Sequence, residues 1–273
     1  MRSSRATWLV ALLLLSVFGG CARDRDLIDD NELLYRKARE KIARRQYLRA
    51  IELLGDVGLL TPVSETLDPQ VKLALADAYF YQGGTVNTIE AQNRYEQFLS
   101  FFPTHPEADR ARYMIGLCLY RQAESPENDQ EYSIRALNHF ESMVRELPKD
   151  SPWLVPAREM LARVQTRLAE HEWKVAEFYF DREHYAGTIG RLTYMIERYP
   201  QSLRREQALL RLAQAYRAVG DLANARASLE RLIAEYAEGP LVEQAREMVR
   251  TLEATQAGRA SAASHTALGT SGR

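Results

Sequence analysis

Apolar side chains in this chain recur at three- and four-residue spacings, and each run is centred on a residue too small to obstruct a neighbour. The small residues come in pairs: Ala38 with Ala50, Ala76 with Ala91, Gly116 with Ala136, Ala176 with Thr188, and Ala213 with Ala225. Their separations are 12, 15, 20, 12 and 12 residues. Two helices cross closely where both carry small side chains, and large residues three and four positions away fill the groove beside the crossing. The chain supplies them. Leu209, Leu212 and Tyr216 surround Ala213, and Leu222, Leu229 and Leu232 surround Ala225. Met114, Leu117 and Leu119 surround Gly116, and Ile134, Leu137, Phe140 and Met143 surround Ala136. Pro62, Pro103, Pro148 and Pro200 each follow the second small residue by 12 positions, where a proline ends a helix. Pro240 comes three positions later than that rule places it. The pattern predicts helical hairpins repeated with a period of roughly 34 residues.

Start signals agree with it. Asp68-Pro69 and Ser151-Pro152 read as an N-cap followed by a first-turn proline. Thr104 and Glu107 have the spacing of a capping box. The joint from Pro148 to Ala176 is 28 residues, against 13 or 14 elsewhere, and the spacing of Leu161, Val164 and Leu168 predicts extra helix there. Leu241, Val242, Ala245, Met248, Val249 and Leu252 predict an amphipathic helix over 241–256 that caps the last hairpin. Residues 257–273 turn to Ala, Ser, Gly and Thr, too few of them apolar to offset the entropy of ordering, and read as a disordered tail. The five hairpins over 31–240 resemble tetratricopeptide repeats. The expected fold is all-α: a right-handed α-solenoid of five such hairpins plus a C-terminal capping helix.

Residues 1–20 read as a secretory signal, with Arg2 and Arg5 before an apolar stretch from Trp8 to Phe18 that is too short to span a bilayer. Phe18-Gly19-Gly20-Cys21 resembles the bacterial lipobox, apart from Phe18 where an aliphatic residue is usual. That resemblance implies a lipidated Cys21, a short anchored linker over 21–30, and a protein held on a membrane without crossing it. The alternative is an ordinary signal cut near Gly20. Ala22 is compatible with sorting to the outer membrane. Cys118 lies in an apolar helical stretch and reads as a buried small hydrophobe.

The chain has 36 basic and 37 acidic residues; without Arg2 and Arg5 the balance is 34 − 37 = −3. A near-neutral chain lacks the basic face that nucleic-acid binding requires. Arg44-Arg45 and Arg204-Arg205 read as solvated helix ends. The five histidines form no metal-binding pair on one helix face, and no phosphate loop or nucleophile elbow is present. No enzyme, cofactor or metal is expected. A hairpin array is instead a binding surface. In tetratricopeptide repeats the first helix of each hairpin lines the concave face. Here that resemblance selects Tyr35 and Arg39; Asp77, Phe80 and Tyr81; Arg110, Tyr113, Tyr120 and Arg121; and Trp173, Glu177 and Phe180. Aromatics beside arginines suit an extended peptide with aromatic side chains. Packing between hairpins is the competing role for each.

Two stretches narrow the resemblance. One is Phe102-Pro103-Thr104-His105-Pro106-Glu107-Ala108-Asp109, continuing to Tyr113-Met114-Ile115-Gly116-Leu117. The other runs from Leu168-Ala169-Glu170-His171-Glu172-Trp173 to Lys174-Val175-Ala176-Glu177-Phe178-Tyr179. Both look like the BamD family, lipoproteins of the outer-membrane β-barrel assembly machinery. The resemblance implies a non-catalytic, periplasm-facing scaffold on the outer membrane. Its C-terminal repeats would bind the POTRA domains of the central assembly barrel, with Arg191 at the contact. Its N-terminal repeats would receive outer-membrane protein precursors, and accessory lipoproteins are possible partners. The alternative is another periplasmic repeat adaptor, such as a secretin pilot or a cell-envelope and peptidoglycan coordination protein.

Overall fold

The computed structural model describes the backbone of residues 19–123 and 129–269 and the side chains of residues 30–123 and 129–258. Among the described residues there are eleven helices and no strand. They are α1 Gly19–Ala43, α2 Tyr47–Asp56, α3 Asp68–Gln82, α4 Thr85–Phe101, α5 Ala108–Gln122, α6 Glu131–Glu146, α7 Leu154–Phe180, α8 Tyr185–Arg198, α9 Arg205–Ala218, α10 Leu222–Glu235 and α11 Val242–Gly269. The fold is all-α, built of consecutive helical hairpins. Two compact units divide the chain: unit 1 holds residues 1–122 and 138–158, unit 2 residues 123–137 and 159–273.

All ten small residues of the repeat pattern are buried. In unit 1 a Cβ built on Gly116 would lie 2.4 Å from Phe140 Cζ and 3.0 Å from His139 Cδ2, so nothing larger than glycine fits without moving a buried ring. Ala38, Ala50, Leu54, Leu67, Val71, Ala74 and Ala78 form one core cluster, with Tyr35 packed on its edge. The loop after α2 is tied back by Asn31, whose side chain accepts from Gly58 N–H at 3.0 Å and donates to Thr61 Oγ1 at 3.1 Å. Gly83 and Gly84, at φ 75° and 80°, make the turn from α3 to α4 in a region where other residues are strained.

In unit 2, Thr188 takes a place otherwise held by alanine because its hydroxyl has a partner: Oγ1 donates to the Ala176 carbonyl at 3.3 Å. The long joint is filled by helix, since α7 runs 27 residues without a break and buries Val164 and Leu168. Helix α11 buries Val242, Ala245 and Leu252 and packs on α10.

Several expectations are corrected. Residues 21–30 are helical as part of α1, not a linker; no proline or glycine follows Gly20 there, and the Arg23/Asp26 and Arg25/Asp29 spacings favour a helix. Helix α11 likewise extends to Gly269 through the stretch expected to be a disordered tail, where alanine supplies high helix propensity; residues 270–273 lie outside the described residues, as does the signal stretch 1–18. Ile134 is 49% exposed, because two positions before Ala136 it falls on the opposite side of α6. The Thr104 capping box does not form as expected: the Glu107 N–H donates to His105 Nδ1 at 3.1 Å, so an imidazole serves the approach to α5. Asp68 is the first residue of α3 rather than its cap, and pairs with Lys72 one turn on. Ser151 lies three residues before α7 rather than at its N-cap; its Oγ accepts from Trp153 N–H at 3.3 Å in the turn that leads into the helix.

Candidate functional site

The residues selected for the concave face divide between the units. In unit 1 they are largely engaged with each other. Asp77 on α3 is buried. Its Oδ1 accepts from Tyr95 Oη at 2.5 Å, and both carboxylate oxygens accept from Arg110 Nη2 at 2.6 and 2.7 Å. Burial and the adjacent carboxylate push the Tyr95 phenol far above its ordinary range. Burial pulls the Arg110 guanidinium down, but Asp77 outweighs it and the net shift is upward. This buried, fully paired network is a structural clamp between α3, α4 and α5.

Phe80 is 2% exposed, and the Arg121 guanidinium lies over its ring at 3.5 Å while donating to the Phe80 carbonyl at 2.8 Å. Asp77 and Phe80 are therefore corrected from ligand contacts to core groups. Tyr113 packs on Trp153 and Phe140, with ring centroids 5.1 and 6.0 Å away. Tyr120 is half-buried. What unit 1 leaves outward is Arg39 and Tyr81, the latter half-exposed and stacked on Tyr47 at 5.9 Å. Tyr35 also borders a cleft of about 280 Å³ with Glu32 and Gln70.

Unit 2 behaves differently. Trp173, Glu177 and Phe180 share one face of α7 by their spacing. Glu177 is gripped by Arg211 of α9, Nε to Oε1 at 2.7 Å and Nη2 to Oε2 at 3.0 Å, and the same guanidinium lies 4.3 Å from the Phe180 ring centre. Seven residues earlier on both helices, Glu170 is gripped by Arg204 at 3.0 and 3.2 Å, with that guanidinium 5.8 Å from the Trp173 ring. The carboxylate hydrogen bond raises the Arg204 pKa. Beside this ladder is a cavity of about 400 Å³, open to solvent, with Trp173, Leu210 and Leu241 among its lining. Gln207, Gln214 and Gln244 line the same space.

Arg204-Arg205 is thus corrected from a pair of solvated ends. Arg205 is buried: it donates twice to Glu235, at 2.9 and 3.2 Å, and once to the Ile196 carbonyl. Arg44 and Arg45 are exposed, as expected. The glutamines and Arg204 were missed. Their signal lay in the repeat period, because Glu170–Arg204 and Glu177–Arg211 are each 34 residues apart.

Arg191 on α8 is 44% exposed, held from behind by the nearly buried Glu172, whose Oε2 accepts from Nη1 at 3.2 Å. Cys21 is the third residue of α1, and its side chain lies outside the described ones. No helix among the described residues is long and apolar enough to cross a membrane. Cys118 is buried, and burial pushes its thiol up to about 12, which leaves it an inert core residue. No cluster among the described residues has the ligands for a metal ion.

Comparison with known proteins gives a consistent set. The family model described as "YfiO: Outer membrane lipoprotein" matches residues 28–232. Relatives named outer membrane protein assembly factor BamD include those of Buchnera aphidicola, 24% identical over 68% of this chain and 78% of that protein, and Caulobacter vibrioides, 26% identical over 79% and 71%. That of Vibrio cholerae is 27% identical over 78% of this chain and 91% of its own.

Proposed function

The chain belongs to the YfiO outer membrane lipoprotein family, and on that premise we propose that it is a scaffold of outer-membrane protein assembly. It performs no catalysis. Cys21 carries the lipid, and the helical hairpins face the periplasm. Unit 2 binds a POTRA-bearing assembly barrel through Arg191. Unit 1 receives precursor segments at the outward aromatic Tyr81, which stacks on Tyr47.

The observation that carries the partner assignment is the state of Arg191. Its guanidinium is half-exposed, yet Glu172 fixes its position. A guanidinium held in place and still reachable has donors left for a partner carboxylate, and such forked pairs are strong once water is excluded. Arg191→Glu is expected to weaken capture of the POTRA-bearing partner by roughly 2–5 kcal/mol, with helical content unchanged. Pull-down from detergent-solubilised envelopes followed by mass spectrometry checks it. Equal capture by wild type and variant overturns the role of Arg191. Recovery of a secretin in place of a POTRA protein overturns the assembly reading itself.

A further inference from the structure

The loops that join successive hairpins of unit 1 are unlike the rest of its surface. The α2–α3 loop leaves Leu59 and Leu60 outside, α4 ends on an outward Phe101, and Val155, the second residue of α7, is outward too; the four are between 61% and 81% exposed. Charge is missing around them. Residues 57–63, 101–106 and 151–157 contain no Asp, Glu, Lys or Arg, in a chain that is 27% charged. The turn at the other end of the first hairpin, between α1 and α2, carries exposed Arg44 and Arg45 instead.

These loops share one edge. In a run of antiparallel hairpins, the end of each second helix lies beside the start of the next first helix. The contacts agree. Asn31 of α1 holds the α2–α3 loop at Gly58 and Thr61, Lys72 one turn into α3 lies over the Phe101 ring at 5.4 Å, and Asp109 at the start of α5 accepts from Ser151 Oγ at 3.3 Å. It is also the edge from which α1 enters. Cys21 and Asn31 lie on that one continuous helix, ten residues or about 15 Å apart. Asn31 is buried and ties the loop on both sides of Leu59 and Leu60, so the two leucines are held at a set distance from Cys21.

We propose that this edge of unit 1 rests in the headgroup layer of the bilayer, with Leu59 and Leu60 as its wedge and Phe101 and Val155 behind them. The inference rests on the lipidation of Cys21, which brings the edge to the membrane. The chemistry of the loops selects lipid as the occupant. They offer apolar side chains to the acyl boundary and bring no charge that would have to be desolvated there. Outward tips on three separate loops suit a fluid medium, which needs no matching shape. A few such side chains bind a membrane weakly by themselves, but a tethered chain is already at high effective concentration. The strut of α1 then sets an inclination. The headgroup layer is about 5–7 Å deep, so the leucines reach it when α1 leans about 60° or more from the bilayer normal. The hairpins of unit 1 lie aslant on the membrane rather than standing off it.

The test uses the lipidated chain in vesicles of phosphatidylethanolamine and phosphatidylglycerol that include a lipid with a nitroxide near its headgroup. Leu60→Cys, Phe101→Cys and Leu48→Cys are each labelled with an environment-sensitive fluorophore. Leu48 is 60% exposed at the far end of the first hairpin and serves as the comparison. Lipid occupies Cys21, and burial keeps Cys118 unreactive, so a single thiol takes the label. Quenching at positions 60 and 101 is expected to exceed that at position 48 about threefold or more. High salt leaves it unchanged, since the contact carries no charge. Leu59→Asp combined with Leu60→Asp lowers quenching at position 101, because the wedge is gone. Equal quenching at all three positions overturns the proposal, as does emission shifted to the blue at position 60 without quenching, which means cover by a second copy of the chain. Flotation of the same vesicles separates the two claims. A chain that floats with position 60 in water overturns the membrane edge alone, whereas a chain that does not float overturns the lipid anchor and this inference with it.

Discussion

Units 1 and 2 place the same ingredients, arginines and aromatics on first helices, to opposite effect. In unit 1 the arginines close the surface. Arg110 is tied up by buried Asp77, and Arg121 covers Phe80. In unit 2 Arg204 and Arg211 are fixed by glutamates of the preceding first helix and stand beside an open cavity. The difference lies in what the arginine meets. A buried carboxylate with a tyrosine hydroxyl on it makes a staple; a partly exposed carboxylate, with a glutamine on the arginine that grips it, makes a ladder beside an open cavity. Residue type alone does not separate a binding face from a seam between hairpins.

The comparison is broken most forcefully at Asp77. Asp77→Ala strands the Tyr95 hydroxyl and the Arg110 charge, and is expected to cost about 3 kcal/mol in urea unfolding. Asp77→Asn restores an acceptor for Tyr95 but not the charge, so it recovers part of that loss. A neutral Asp77→Ala result dissolves the distinction between staple and ladder.

Arg205→Ala probes unit 2. It leaves the Ile196 carbonyl and Glu235 without their main donor, and is expected to cost about 2 kcal/mol at neutral pH, less than a fully buried pair because Glu235 is about a third exposed. Here pH gives a direction. The Arg205 hydrogen bond, with a smaller contribution from Arg231, lowers the Glu235 pKa to about 2, below the ordinary carboxylate value. The pair's contribution is complete above that ordinary value and fades as pH falls toward about 2. The stability gap between wild type and Arg205→Ala should therefore narrow as pH falls from about 5 to about 2. A gap that widens on acidification contradicts the pairing.

The smallest effect is the sharpest for function. Arg121→Ala removes the guanidinium from the Phe80 ring and is expected to cost only about 0.5–1 kcal/mol in thermal stability. It also uncovers an aromatic surface, read as increased binding of an apolar dye. If dye binding does not rise, Phe80 is buried by more than Arg121.

Much of the fold was legible in the sequence. Steric exclusion at a helix crossing acts through one position at a time, so Gly116 and the alanines announce themselves without knowledge of their partners. The long α7 followed from an over-long joint with unbroken periodicity. The site was less legible, because burial of a polar group depends on a partner. Phe80 looks like Tyr81 in sequence, yet one is buried beneath an arginine and the other half-exposed. Arg205 looks like Arg45, yet one lies in a seam and the other in a turn at φ 58°. The signal that was present but unused is coincidence at the repeat period: opposite charges about 34 residues apart occupy equivalent places on neighbouring hairpins, as in Glu177–Arg211.

That spacing also bears on how such an array can change over generations. Repeat proteins lengthen when a segment is copied beside itself. Glu170 and Glu177 sit on one hairpin, while Arg204 and Arg211 sit on the next. A tandem copy of the later hairpin would set arginine against arginine where glutamate now stands, and like charges at that distance repel. The two hairpins are thus not interchangeable. Each carries an address that the other reads, and the ladder holds their order and number against the drift that duplication would otherwise allow.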